Sequence, residues 1–129
     1  MKKKSVVSFF LAVIVLLIAA VPAFAANSSS ITVSTYQHAM TPLPVDGLGQ
    51  YGKITLSGNG DASLYVYYNK GDGVWRQWTI NDPGTGWLFL SSTGGSKYLD
   101  FYMNIGWQYK VEVFASNSTS ATGTIRNTL

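Results

Sequence analysis

Residues 62–80 read ASLYVYYNKGDGVWRQWTI and contain two aromatic-rich segments joined by a glycine-bearing turn. A turn over residues 69–73 places Tyr68 opposite Val74 in an antiparallel hairpin. Side chains alternate between the two faces of a strand, so each face of this hairpin has its own composition. One face is mostly apolar and is predicted to enter a core; it holds Leu64, Val66, Tyr68, Val74, Trp78 and Ile80, with Arg76 as its only charge.

The opposite face of the hairpin mixes large rings with polar side chains: Ser63, Tyr65, Tyr67, Trp75, Gln77 and Thr79. Aromatic rings offer rigid contact area at a low entropic cost, which suits the recognition of sugars or of an extended polymer. Strand pairing explains the same pattern, because Tyr and Trp are ordinary strand formers, and a second sheet could bury this face. A binding platform and simple strand pairing therefore both remain open.

The first 25 residues have the pattern of an export signal. Lys2 to Lys4 precede an apolar run, and Pro22 leads into Ala23-Phe24-Ala25. This order predicts a secretory signal peptide over residues 1–25, cut after Ala25. A membrane anchor needs about 20 apolar residues, more than this run provides. We expect residues 26–129 to form a secreted, extracellular domain without a membrane span, and the absence of cysteine favours a bacterial source.

The basic charge of the chain is concentrated in the predicted signal. The formal net charge of +3 comes from nine Lys and Arg against six Asp and Glu. Without Lys2 to Lys4, six basic residues face six acidic ones. A mature chain near neutrality lacks the basic surface that nucleic acid requires, so no nucleic-acid partner is predicted. Neutral ligands such as sugars suit it better.

About eight short strands follow the signal, separated by turns rich in Gly, Asn and Pro. This spacing predicts an all-β fold, a single antiparallel β-sandwich of jelly-roll or immunoglobulin-like type. Residues 37–52 show no periodicity and carry Pro42, Pro44 and several glycines. So long a connection is expected either to cross from one sheet to the other or to serve as a binding loop.

A later strand repeats the contrast between its two faces. Leu99, Phe101 and Met103 form an apolar face, and Tyr98, Asp100 and Tyr102 form the opposite one. A carboxylate between two rings can accept hydrogen bonds from sugar hydroxyls. The alternative is that Asp100 is a solvated residue or pairs with Lys97 or Lys110 across the ladder.

Catalysis has little support in the sequence. The single histidine, His38, lies in the irregular segment, cysteine is absent and no serine elbow is visible, so we predict no enzyme and no cofactor. Asp82, Asp100 and Glu112 could in principle form a carboxylate pair for glycoside hydrolysis. No metal site is predicted either: Asn69 and Asp72 could contribute to a calcium site, but turn chemistry accounts for both.

The segment from Tyr109 to Ile125, YKVEVFASNSTSATGTI, resembles the closing strand pair of small bacterial β-sandwich modules of the pre-peptidase C-terminal type. Such modules end with a tyrosine-led alternating strand, a polar turn and a final strand entered through glycine. The aromatic set of Tyr65, Tyr67 and Trp75 is similar in style to the platforms of carbohydrate-binding modules. Both resemblances imply a non-catalytic accessory domain.

Two functions follow as hypotheses. The first is a secreted binding module for neutral polysaccharide or cell-wall glycan. Its candidate ligand-binding residues are Tyr65, Tyr67, Trp75, Gln77, Tyr98, Asp100 and Tyr102. The second is a secreted protein-interaction module, such as an inhibitor, a matrix component or an antibacterial protein. It would use residues 37–52 or a sheet edge, because unpaired strand edges readily pair with other chains.

Overall fold

The structure is a computed structural model that describes residues 26–118 and 120–129. The predicted signal peptide lies outside the described residues. Within them no helix is present, and so none that could cross a membrane. The described residues form ten strands: β1 (Ser28–Ser34), β2 (His38–Met40), β3 (Val45–Asp46), β4 (Gln50–Gly58), β5 (Ala62–Asn69), β6 (Arg76–Gln77), β7 (Trp87–Leu90), β8 (Gly95–Met103), β9 (Gln108–Ala115) and β10 (Ser120–Arg126).

The strands form two antiparallel sheets. The four-stranded sheet has the order β1-β10-β4-β8. In the six-stranded sheet β9 and β5 are central; β2 and β3 pair with β9, while β6 and β7 pair with β5. The predicted all-β, antiparallel sandwich is confirmed. The strand number exceeds the expected eight because residues 37–52 contain β2 and β3.

Residues 37–52 are the connection between the sheets. After β1 the chain leaves the four-stranded sheet, pairs twice with β9 and returns to the first sheet at Gln50. Between β2 and β3, the backbone N–H of Thr41 donates to Val111 O (2.9 Å), and the Val111 N–H donates to Thr41 Oγ1 (3.2 Å). The crossover interpretation is therefore correct, and the segment also contains two short strands that its sequence did not predict.

The hairpin of β5 and β6 has a different register from the predicted one. Tyr68 lies opposite Arg76, two residues beyond the expected Val74. The turn is longer because Asn69 Oδ1 accepts hydrogen bonds from the N–H groups of Gly71 (2.8 Å) and Gly73 (3.2 Å), both with positive φ. A shift of two residues leaves the side chains of the paired residues on their predicted faces.

The longer turn changes which residues of this hairpin reach the core. Leu64, Val66, Tyr68 and Trp78 are buried as predicted. Val74 and Ile80 are not in the core: Val74 lies in the turn at 51% exposure, and Ile80 lies beyond β6 at 85%. Both lie outside the residues that pair with β5, so their predicted burial was wrong.

The core lies between the inner faces of the two sheets. The six-stranded sheet contributes Leu64 and Val113, and the four-stranded sheet contributes Ile54 and Ile125, all fully buried. The two sheets approach each other closely at Gly123 of β10, because a Cβ there would collide with the side chain of Val113 and crowd that of Leu64. Inward residues are thus fixed by packing, and the alternate residues of β5 and β9 are turned outward.

Candidate functional site

The outward face of the six-stranded sheet gathers rings and hydrogen-bonding groups from five strand segments. The register places residues 63, 65 and 67 of β5 beside residues 114, 112 and 110 of β9. On the other side of β5, Tyr65 faces Trp87 and Tyr67 faces Gln77. We call this surface the platform and define it by His38, Tyr65, Tyr67, Trp75, Gln77, Trp87, Phe89, Lys110, Glu112 and Phe114.

One end of the platform is aromatic. The Tyr65 ring lies edge-on to Phe89 and to Phe114, each with a centroid distance of 5.9 Å. The His38 ring stacks on Phe114 at 4.9 Å, with only 10° between the ring planes. Four rings from β7, β5, β9 and β2 thus form a continuous row across the strands. Their mutual contacts fix the ring positions before any ligand arrives.

The centre of the platform is a hydrogen-bonded carboxylate, Glu112. The Tyr67 hydroxyl donates to Glu112 Oε2 at 2.7 Å, and Gln77 Oε1 lies 3.5 Å from the same hydroxyl. His38 Nδ1 lies 3.0 Å from Glu112 Oε1 and donates to it, since an ionised carboxylate only accepts. The Glu112 side chain is 15% exposed, so the carboxylate remains within reach of a ligand hydroxyl.

Burial and the neighbouring Glu112 raise the pKa of Tyr67 from 10.0 to about 12, burial being the larger cause. Folding therefore favours the protonated phenol. This contribution to stability is complete below pH 10 and is lost as the pH rises to about 12. We expect the difference in alkaline phenolate absorbance between the protein and Tyr67→Phe to titrate near pH 12.

Two further observations check this assignment. Glu112→Gln should lower the Tyr67 pKa without returning it to its ordinary value, because burial persists. A Tyr67→Phe difference that titrated at the ordinary value of 10.0 would show that the phenol is solvated and that the bond to Glu112 is not formed.

The other end of the platform carries a cation on a ring. Lys110 Nζ lies 5.2 Å from the centroid of the Trp75 ring, a geometry in which the ring face attracts the ammonium. Next along β9, Gln108 Nε2 donates to Asp46 Oδ1 at 3.2 Å. A ligand that crossed the platform would meet the row of four rings first, then the hydrogen-bonding groups around Glu112, and then the Trp75 ring with Lys110 over it.

The structure brings together four of the seven predicted ligand-binding residues: Tyr65, Tyr67, Trp75 and Gln77 lie on the platform. Tyr98, Asp100 and Tyr102 lie on β8 in the other sheet, on the opposite side of the sandwich. Phe101 and Met103 of β8 are buried in the core, so the side chains that alternate with them point away from it. The two sets cannot belong to one contiguous surface.

Asp100 has a cation partner other than the two considered from sequence. Its Oδ1 lies 3.5 Å from Lys53 Nζ on the neighbouring strand β4. Lys53 Nζ also lies 4.5 Å from the centroid of the Tyr98 ring. Lys97 and Lys110, the expected partners, are not involved, because β4 is the strand that pairs with β8.

The three carboxylates considered for glycoside hydrolysis do not form one cluster. Glu112 lies on the platform, whereas Asp100 projects from the opposite face of the sandwich. Asp82 Oδ2 accepts from the Thr79 N–H at 2.8 Å and helps to shape a turn. The described residues contain no group of three His, Cys, Asp or Glu side chains suited to hold a metal.

The turn residues weighed for calcium are engaged with their own chain. Asn69 Oδ1 holds two backbone N–H groups, as described above. Asp72 pairs with Arg76 at 2.7 Å, and this guanidinium lowers the pKa of Asp72 to about 2. Both side chains stabilise the turn.

Sequence reasoning missed several platform residues. Phe114 and Glu112 were visible as outward residues of an alternating strand, but their place beside Tyr65 and Tyr67 depends on the pairing of β5 with β9. His38 lies in β2, a strand of three residues, too short for any periodic signal. Phe89 alternates with the buried Leu88 and Leu90, a signal that could have identified it.

No protein-family model matches the chain, and no curated protein matches it in sequence. Among similar solved structures, PirA has 14% identity and a TM-score of 0.46 over 82% of this chain and 97% of PirA. The pre-peptidase C-terminal domain of a Bacillus anthracis collagenase has 7% identity and a TM-score of 0.42, with 77% of this chain and 87% of that one covered. A family 16 carbohydrate-binding module has 11% identity and a TM-score of 0.41, with coverages of 74% and 71%.

The collagenase domain is of the pre-peptidase C-terminal type that residues 109–125 were found to resemble. The second module is of the carbohydrate-binding type with which the set of Tyr65, Tyr67 and Trp75 was compared.

Proposed function

We propose that the protein is a secreted, non-catalytic binding module that holds a neutral polysaccharide on the platform. One observation carries the proposal: the row of rings formed by Phe89, Tyr65, Phe114 and His38 adjoins the hydrogen-bonded Glu112. Rings can stack on the apolar faces of sugars, and a carboxylate can accept from their hydroxyls. These are the two contacts that a neutral glycan offers.

The size and shape of the platform suit an extended chain. The row crosses four adjacent strand segments, three inter-strand spacings of about 4.8 Å. It therefore spans a few sugar rings, and its open face places no limit on the length of the polymer. A surface of this kind fits an internal segment of a polysaccharide better than a small molecule, which would need a concave pocket.

The electrostatics of the platform favour a neutral ligand. Glu112 and Lys110 occupy alternate outward positions of β9, so one negative and one positive charge lie on the same surface. Glu112 already accepts from Tyr67 and His38, but each carboxylate oxygen has a second lone pair for a ligand hydroxyl. The exposed Gln77 amide can both donate and accept.

A retention experiment tests the proposal. The protein is incubated with cellulose, chitin and purified bacterial cell walls, and intrinsic tryptophan fluorescence is recorded alongside. We expect retention on at least one of these, with a fluorescence shift from Trp75 or Trp87. Tyr65→Ala should weaken retention about tenfold, the loss typical of a central aromatic contact.

Tyr65→Phe is the matched control, because it keeps the ring and should retain binding within about threefold. Far-UV circular dichroism checks that each variant is folded. If Tyr65→Ala and Trp75→Ala were both retained as well as the unmodified protein, the platform would not be the site. If no polysaccharide retained the protein, the glycan function itself would be wrong and a protein partner would be sought.

A further inference from the structure

Three adjoining cavities run along the outer edge of β8 and around one end of the sandwich. The first has a volume of about 450 Å³ and lies between residues 100–102 and the turn at residues 83–85. The second, about 270 Å³, shares Pro83 and Tyr102 with the first. The third, about 490 Å³, shares Trp107 with the second, but it is lined by Asp46 and Gln108 beside the platform. We call the first two cavities, which adjoin at Pro83 and Tyr102, the edge groove.

Three aromatic rings line the edge groove in succession. Tyr102 is 46% exposed, and its hydroxyl donates to Gly49 O at 3.0 Å. Tyr51 is 55% exposed and lies edge-on to Tyr102 at 5.4 Å. Trp107 stacks on Tyr68 at 5.2 Å and carries Lys70 Nζ at 4.8 Å from its centroid. Tyr51 and Tyr102 are held by these contacts, so little entropy is lost when a ligand stacks on either ring.

Charges of both signs lie along the groove. Asp100 lines the first cavity and is compensated by Lys53. Asp82 lines the second cavity and accepts from the Tyr68 hydroxyl at 3.3 Å. Rings with adjacent oxygen acceptors are the same combination of groups as on the platform. A cavity of about 450 Å³ lies within the range of roughly 300–1,000 Å³ typical of ligand sites.

The geometry favours a glycan over a peptide in this groove. A peptide added to a sheet edge needs a row of free backbone groups opposite it. The turn at residues 83–85 lies across the groove from residues 100–102 of β8. The same cavity is lined by the rings of Tyr51 and Tyr102 and by the carboxylate of Asp100, the contacts that a neutral glycan uses. β8 is an edge strand of its sheet, so a peptide paired with β8 would be the competing occupant.

Building on the proposed function, we propose that the edge groove is a second site for the same class of polysaccharide. The platform lies on the outer face of the six-stranded sheet, and Tyr51 and Tyr102 lie on β4 and β8 of the other sheet. Two sites on opposite sides cannot follow one straight glycan segment. One domain thus bridges two glycan chains, and the avidity of each contact is raised by the other.

Particle agglutination tests the bridge. Suspended cellulose, chitin and cell-wall particles are mixed with the protein, and agglutination is compared with retention on the same particles. We expect the protein to agglutinate the particles that retain it. Tyr102→Ala and, separately, Tyr51→Ala should remain bound but lose about tenfold in agglutinating activity. Tyr65→Ala combined with Tyr102→Ala should abolish retention.

Several controls keep the outcomes distinct. Tyr102→Phe keeps the ring and should agglutinate normally, and sedimentation of the free protein excludes agglutination through self-association. Unchanged agglutination by both Tyr102→Ala and Tyr51→Ala would overturn the second site and leave the platform intact, which is also the result expected if the groove took a peptide. Absence of retention for the unmodified protein would instead overturn the proposed function.

Discussion

Replacing Trp78 with alanine is expected to lower the free energy of unfolding by about 3–5 kcal/mol, the range for large aromatic residues in cores. Trp78 is 4% exposed and packs edge-on against Tyr68 (5.3 Å) and Phe101 (4.7 Å). Its Nε1 donates to Gly84 O at 3.3 Å, so the indole also anchors the turn that walls the edge groove. Urea unfolding followed by far-UV circular dichroism measures the loss.

Trp75→Ala is the matched control in the same hairpin. Trp75 lies on the platform, where its ring contacts Lys110 rather than the core. Losing an exposed cation–π contact costs about 0.5–1 kcal/mol, so a loss near 1 kcal/mol is expected. Equal losses for the two variants, or a larger loss for Trp75, would contradict the register of β5 and β6 and exchange the faces of the hairpin.

This pair of residues shows how much of the fold a local pattern determines. The alternation of side chains along the strand was enough to assign Trp75 and Trp78 to opposite faces of the hairpin. The predicted register of the hairpin was nevertheless wrong by two residues. An error of two preserves the faces because the side-chain period of a strand is two. The Asn69 side chain, which lengthens the turn, is a local contact that composition indicates only in general terms.

The two strands that the sequence did not predict have a different cause. β2 and β3 have three and two residues, too few for alternation to be recognised. They exist because β9 offers them backbone partners: His38 pairs with Phe114, and Val45 pairs with Tyr109. Such strands are determined by tertiary structure rather than by their own sequence.

The predicted site is divided between two surfaces for the same reason: strand pairing cannot be deduced from the sequence of one strand. The outward faces of β5 and β8 were both identified correctly, since each depends only on alternation within one strand. Which sheet a strand joins depends on pairing between distant segments, and no residue pattern in β8 states that it pairs with β4. Tyr65 and Tyr102 therefore looked equivalent in sequence although they face opposite directions.

This separation gives the proposed function a consequence that a single platform would lack. A protein with one flat site coats a polysaccharide, whereas a protein with sites on opposite sides can join two chains. The aromatic row of the platform and the edge groove also differ in shape, one open and the other concave. A variant at Tyr102 should thus impair joining but not coating, whereas a variant at Tyr65 should impair both.

The second prediction concerns the contact between β10 and β9. The platform and the edge groove can face in opposite directions only if the two sheets pack against each other. Gly123→Ala is expected to cost about 1–3 kcal/mol, because the new Cβ would collide with Val113 Cγ2 and crowd Leu64 Cδ1. Val113→Ala should cost a similar amount by leaving a cavity, since Val113 is fully buried. In the double variant the space left by the valine accepts the added methyl group.

The double variant is therefore expected to be more stable than the two single losses predict, by roughly 0.5–3 kcal/mol. Val45→Ala serves as the control partner for Gly123→Ala: Val45 is also fully buried, but it faces Tyr109, four residues and about 13 Å along β9 from Val113. The losses in free energy of unfolding caused by Val45→Ala and by Gly123→Ala should therefore be additive. Coupling to Val113 but not to Val45 would place β10 directly against β9, which requires the outward residues of the two sheets to face away from each other. Simple additivity in both pairs would mean that the sheets do not meet at Gly123, and the platform and the edge groove would lose their opposed orientation.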